Sequence, residues 1–318
     1  MNAEEPPQAI DTLTVRRQRL PLRQLGLVIV PYLLLILIWS STPLAVVWSV
    51  RELHPIWALA MRFVLAMPIA LLVLKLMGLR LRTDRAALRS YVAGSLGLWG
   101  AMLMCYLGAV HLSSGLVSML FGLSPLVSGL AAWIGPDRIK LQPEQWVGML
   151  LGVGGMGIAV GVGQASAHAV SVLGVVLILL AVLCYVLSMF WVRYEAAALH
   201  PMVQTTGSLI VSAAVLVLML PFFWTAMPTA MPSAVALGAV AFTVVMGSIV
   251  AMICYFDLVT RVGPTPVALT TIMTPVIAVS LGAWLNHEQV GAHMWMGLWL
   301  VLSGLALYFF RDAIPRRS

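Results

Sequence analysis

Residues 90–136 read SYVAGSLGLWGAMLMCYLGAVHLSSGLVSMLFGLSPLVSGLAAWIGP, a stretch without a single Asp, Glu, Lys or Arg. A helix needs about 20 residues at 1.5 Å rise to cross roughly 30 Å of hydrocarbon. The stretch is therefore long enough for two crossings, with a turn near His111 to Gly115. Its apolar residues do not alternate with polar ones, as membrane barrel strands require; they cover all sides of a helix. The segment predicts a pair of lipid-embedded helices.

The same count works outward in both directions. Gln24 to Val50 holds one span, and Pro55 to Leu74 a second that is interrupted by Arg62. Gln145 to Val192 holds two, broken around Gly163 to Ser171, and Ala196 to Phe256 two more around Pro221, Pro228 and Pro232. Val262 to His287 and Gln289 to Phe310 complete an expected set of ten transmembrane helices, an all-α integral membrane protein. Composition agrees: 61% of the residues are hydrophobic and 9% charged, too few charges to cover a soluble surface.

The net charge of +7 raises nucleic acid as a partner. Basic and aromatic residues do not interleave on any polar segment of useful length, so no nucleic-acid partner is expected. Cys105, Cys184 and Cys254 all lie in apolar runs and give neither a disulfide framework nor metal spacing. No metal and no cofactor is expected. Arg16 and Arg17 resemble a twin-arginine signal, but the neutral stretch after them is too long for a cleaved segment and reads as a permanent span.

Lys and Arg set the orientation, because cytoplasmic loops retain positive charge. With the N-terminus inside, only Arg51 of the 18 Lys and Arg residues falls in an outside loop and Arg62 lies within a span. An even number of helices with both termini cytoplasmic follows.

Laid on itself at an offset near 150, the chain aligns Met104-Cys105-Tyr106 with Ile253-Cys254-Tyr255, and Ser124-Pro125 with Thr274-Pro275. Trp146, Gly148 and Gly155 meet Trp295, Gly297 and Gly304. At offset 146, Leu53-His54-Pro55 meets Leu199-His200-Pro201, and Trp39 meets Tyr185. Trp, Pro and Cys-Tyr are too uncommon to recur in order by composition. Each copy carries five spans, and an odd number inverts the second copy against the first. The expected organisation is a tail over 1–24, repeats over 25–164 and 171–310, and a tail over 311–318. Inverted repeats place a solute site where the halves meet, near the bilayer middle.

These features resemble the drug/metabolite transporter superfamily, in particular its ten-helix EamA type. The resemblance runs over nearly the whole chain after the tail. It rests on Trp39-Ser40-Ser41, Met61-Arg62-Phe63, Pro125, Pro275, and Glu288 followed by Gly297 and Gly304. It implies an exporter or permease for amino acids, metabolites or drugs in a bacterial inner (plasma) membrane, with a small-molecule substrate and the lipid bilayer as partners. It names no substrate.

Pro125 and Pro275 stand well inside their expected spans, where proline frees the carbonyl four residues earlier, at Phe121 and Thr271. Such a carbonyl must face protein, a hydroxyl or a wet cavity. Ser118, Ser124, Thr270, Thr271 and Thr274 surround them; kink geometry with helix packing is the competing reading. Trp39, Ser41 and Pro43 form a similar cluster, with Tyr185 the counterpart of Trp39. Trp99, Leu103 and Tyr106 share one helix face, matched by Ser248, Met252 and Tyr255. Together these outline a largely apolar, aromatic cavity with a few hydroxyls. Arg62, roughly 10 Å from the outer end of its helix, is a carboxylate ligand, a gate, or a snorkelling side chain. Asp257, four residues before Arg261, is the best acidic candidate for coupling, with surface pairing as its alternative. Gly148, Gly152, Gly157 and Gly161 give small-residue spacing for packing or a homodimer contact.

An intramembrane enzyme is the rival class, but its chemistry is missing. His287-Glu288 and His293 have the wrong spacing for a zinc helix, and no serine-protease pattern or aspartate pair is present. An accessory protein is the other alternative. Within transport, efflux of amino acids or related metabolites is favoured over import or facilitated exchange.

Overall fold

The computed structural model describes residues 22–135, 140–161, 170–195, 197–262 and 270–309. Most of the expected break at Gly163 to Ser171, and nearly all of both tails, lie outside the described residues. In chain order the helices are α1 (Leu22–Val50), α2 (Pro55–Leu76), α3 (Arg85–Ala109), α4 (Ser114–Ile134), α5 (Pro143–Gly161) and α6 (Val172–Glu195). They continue with α7 (Pro201–Met219, prolonged by a 3-10 turn over Leu220–Ala226), α8 (Ala234–Phe242, Thr243–Val250 and Ala251–Val262 end to end), α9 (Thr270–Leu285) and α10 (Ala292–Phe309). No strand occurs among the described residues.

Local chemistry fixes the helix starts. Asp84, Ser113 and Ser233 accept the backbone N–H three residues on, at Ala87, Leu116 and Ala236, which satisfies donors the first turn leaves free. α2 and α7 begin in the same way as each other. His54 Nδ1 accepts from Ile56 N and His200 Nδ1 from Met202 N, each with a proline in the first turn. The cap dihedrals agree within a few degrees, φ −58°, ψ 137° against φ −60°, ψ 135°.

Eight helices among the described residues are long and apolar enough to cross a membrane. α9 is shorter, and α5 opens on Pro143-Glu144-Gln145. On α6, Gly174, Ile178, Ala181, Val182, Val186 and Ser188 are buried. Leu173, Leu179, Leu180, Leu183 and Leu187 stand exposed on the rest of that helix. Apolar surface this extensive is covered by lipid in a stable protein. The chain is a multi-pass membrane protein.

Helix neighbours recur when every helix is advanced by five. α3 packs on α6 as α8 packs on α1, α3 on α7 as α8 on α2, and α4 on α6 as α9 on α1. α2 with α7, α4 with α9, and α5 with α10 each meet their own counterpart. The α5–α10 crossing is the closest. A Cβ on Gly148 would stand 2.6 Å from Gly304 O, and one on Gly155 2.6 Å from Gly297 O. These glycines therefore serve packing within the chain, and Gly152 likewise faces Leu126. A Cβ on Gly157 would meet nothing within 4 Å.

Burial is uneven along α4. Every residue from Ser114 to Leu120 is buried, on all sides of the helix, whereas only Leu126 and Gly129 are buried in Ser124–Ile134. The first half is encased at the end of the molecule opposite the basic residues Lys75, Arg85, Arg89 and Arg193. The second half runs toward that basic end, with Leu130, Trp133 and Ile134 exposed.

Candidate functional site

Arg62 lies two turns into α2 and is 6% exposed. Its Nε–H donates to Ser248 Oγ on α8 at 3.1 Å, and Ser248 in turn donates to Thr243 O at 2.9 Å. Nη1 reaches Tyr106 Oη on α3 at 3.5 Å and Met102 Sδ at 3.9 Å. The guanidinium carbon is 5.5 Å from the centroid of the Phe63 ring. Gly247 of α8 lies beside the group: a Cβ there would stand in ordinary contact with Nη2, at 3.4 Å, and with Thr42 Oγ1 on α1, at 3.6 Å. Among the described residues no carboxylate lies within 4.0 Å of Arg62.

About one to two turns closer to the basic end lies a tier of aromatic rings. Trp39 on α1 and Tyr255 on α8 have centroids 5.7 Å apart. Tyr185 on α6, 37% exposed, passes over Gly97 on α3. Trp99 occupies the π-helical turn Leu96–Gly100 of α3, and Ser248 the π-helical stretch Thr243–Val250 of α8. Both copies thus carry a π segment at matching positions, and such bulges change the direction of side chains on an otherwise regular helix.

The predicted residues divide accordingly. Arg62, Tyr106 and Ser248 form one hydrogen-bonded group, Trp39 and Tyr255 form the ring pair beside it, Tyr185 lies over Gly97, and Trp99 is half-buried against the central core. Ser41 spends its hydroxyl on Leu37 O at 2.7 Å, below Pro43 in an unbroken α1. Thr274 does the same toward Thr270 O, one residue before buried Pro275, and Thr271 is half-buried on the same helix. Ser118 is buried and its Oγ has no hydrogen-bond partner among the described residues, as is true of Ser40. Half-buried Phe121 packs on the central core.

At Pro125 the regular bonding of α4 is interrupted at Leu123, and Pro125 falls in the first turn of the following segment. There its missing N–H has no helical partner to lose. The break is closed by tighter bonds from Leu123 N to Leu120 O at 3.1 Å and from Leu126 N to Leu123 O at 2.9 Å. Asp257 pairs with Arg261 at 2.7 Å near the end of α8, away from Arg62.

Sequence reasoning missed Met102, Thr42 and Gly247 around Arg62, and a polar cluster at the end opposite the basic residues. There Glu288 accepts from Ser114 N (2.9 Å), Ser114 Oγ (2.7 Å), Gly115 N (3.3 Å) and Asn286 Nδ2 (2.8 Å), and Trp48 Nε1 donates to Asn286 Oδ1 at 2.9 Å. The carboxylate thus closes the α9–α10 connection onto the N-terminus of α4, where its charge also complements the helix dipole. At the same end Glu52 accepts from Ser233 N at 2.7 Å and Ser233 Oγ at 2.5 Å, which holds its carboxyl below the usual range. At the basic end Arg82 forks onto Asp84 at 2.9 and 3.1 Å and lowers its carboxyl in the same sense. A surface cavity of about 470 Å³, lined by Ser90, Arg193 and Gln204 among others, sits over helix ends there and is separate from the Arg62 group. No group of three or more metal-ligating side chains is assembled among the described residues.

Among known proteins the chain is 27% identical over 275 residues to the inner membrane transporter YedA of Escherichia coli K12, covering 86% of this chain and 87% of that protein. The same figures hold for YedA of the O6:H1 and O157:H7 strains. A solved crystal structure superposes with a TM-score of 0.66 at 19% identity, over 90% of this chain and 98% of the other, a likeness of fold alone. The profile of the EamA-like transporter family matches residues 25–161 and again 172–310, each with five of the helices described above. Helices, doubled match and relatives agree, and the chain belongs to the EamA-like transporter family.

Proposed function

We propose that this protein is a secondary transporter exporting small amphipathic solutes, amino acids or related metabolites, across the bacterial inner membrane by alternating access. In this reading all ten helices span the bilayer, the two five-helix repeats are inverted, and both termini are cytoplasmic. The solute occupies the space between the repeats, bounded by the Arg62 group and by Trp39, Tyr255, Tyr185 and Trp99.

The observation that carries the reading is the burial contrast along α4 within a reciprocal helix arrangement. Gly148 meets Gly304 while Gly155 meets Gly297. In the repeat alignment Gly297 is the counterpart of Gly148, and Gly304 of Gly155. Reciprocal pairing of this kind is what a two-fold axis produces, and antiparallel α5 and α10 require that axis to lie in the membrane plane. Around it the start of α4 is buried on all sides and held by Glu288, while few residues of its Ser124–Ile134 half are buried. In this reading the cytoplasmic side is the open one, ready to load an exported solute, and the burial contrast along α4 supports it. Opening of the periplasmic half then requires Glu288 to release the start of α4.

The test is flux in reconstituted vesicles with a mixture of radiolabelled aromatic and branched-chain amino acids. Saturable counterflow of at least one solute supports transport. Chemical conversion without net movement would favour an enzyme and overturn the reading.

A further inference from the structure

We infer that Arg62 is the anion-binding residue of the transport site, and that the solute it holds carries one carboxylate on an apolar or aromatic body. This rests on the transporter reading above and adds the solute's chemistry to it.

The repeat itself shows that the fold does not require a cation at this place. Arg62 comes eight residues after His54, and Ser208 eight residues after His200. Ser208, fully internal on α7, donates to Tyr91 O on α3 at 3.0 Å and accepts from Gln204 Nε2 at 3.0 Å. A short hydroxyl thus joins α7 to α3 where, in the other copy, an arginine joins α2 to α8. Placing a guanidinium within a span costs about 2.5 to 3.5 kcal/mol on insertion scales, and buried charges are ordinarily paired. Among the described residues no acid lies within 4.0 Å of Arg62. Its partners are a hydroxyl, a phenol and a thioether, and Nη2 makes no hydrogen bond among the described residues. The fork that suits a carboxylate is therefore only partly engaged.

Charge count and length define the rest of the solute. No other Lys or Arg lies far from the helix ends in α2, α3 or α8, so one positive charge matches a monoanion and leaves a phosphate dianion under-neutralised. Ser248 and Tyr255 are seven residues apart on α8, about 10 Å along the helix. That is close to the length of an aromatic amino acid extended from its carboxylate. The far end of such a solute meets Trp39 and Tyr255, whose ring faces accept an apolar group or an ammonium.

The experiment uses the purified full-length protein in lipid nanodiscs. Thermal stabilisation and tryptophan fluorescence are followed with phenylalanine, 3-phenylpropionate, phenylalaninamide, phenethylamine and phenyl phosphate, alongside vesicle flux of the labelled amino acids. The two carboxylates are expected to bind at least about tenfold more tightly than the amide and the amine, with phenyl phosphate weaker than 3-phenylpropionate. R62Q should remove the preference and R62K restore part of it. The acid-to-amide comparison on the wild-type protein decides the matter even where R62Q fails to fold. Equal binding of acids and amides, or an unchanged preference in folded R62Q, overturns the inference while flux still supports a transporter. Absence of both carboxylate binding and flux overturns the inference and the transporter reading together.

Discussion

Glu288 concentrates four donors on one carboxylate that connects elements distant in sequence. Replacing it with Ala leaves the first N–H groups of α4 without that acceptor, at a cost of about 1 to 3 kcal/mol. Glu288→Ala should therefore lower the thermal midpoint in detergent, and Glu288→Gln less so. Glu52 makes a pH prediction. Ser233 holds its folded-state pKa below the unfolded value, so the contact contributes fully above the ordinary carboxylate range and is lost as pH falls through the depressed value. The difference in thermal midpoint between wild type and Glu52→Gln should stay constant from about pH 8 to 5.5 and shrink below about pH 4. Arg62, Tyr106 and Ser248 were legible in the sequence because a charge, a phenol and a hydroxyl stood out from apolar runs. Met102, Thr42 and Gly247 were not, since a methionine, a threonine and a glycine in such helices have many uses. Glu288 was visible as an acid in a short connection, but its partner Ser114 lies 174 positions away, and nothing local announces a cap supplied from that distance.

At the scale of the helix, the glycines of α5 and α10 give the sharpest contrast. Gly155→Ala sets a methyl 2.6 Å from Gly297 O and 2.9 Å from Val301 N, backbone against backbone, and should destabilise by about 1 to 3 kcal/mol as other overpacked sites do. Gly157→Ala meets open space and should leave the thermal midpoint within about 1 °C or raise it slightly, because alanine is the better helix former. Comparing both variants by thermal unfolding separates tight packing from helix propensity. The positions of the helices followed from charge gaps, since insertion selects long neutral segments regardless of internal detail. The π turns at Leu96–Gly100 and Thr243–Val250 and the break at Leu123 were not legible. They depend on which neighbour a turn must clear, and Pro125 alone is equally compatible with a kink inside a helix and with the first turn of a new one.

At the scale of the whole molecule, an all-helical, multi-pass membrane protein could be read from composition and from the spacing of charges. Uncommon residues in repeated order pointed to the duplication, and the family profile matches in two blocks. The cap that Glu288 places on α4 could not be read, because two copies of similar sequence pack alike and such a contact between distant positions leaves no local signal. The central claim is that transport requires α4 and α9 to part at the periplasmic side. A Cβ on Gly115 would stand 3.3 Å from Val279 Cα across that contact, within the reach of a disulfide. With Cys105, Cys184 and Cys254 replaced by Ala, the double variant Gly115→Cys/Val279→Cys can be oxidised in vesicles loaded with the labelled amino acids. Counterflow should stop once the disulfide forms and return on reduction; counterflow that continues at full rate with the cross-link complete would contradict alternating access through this contact.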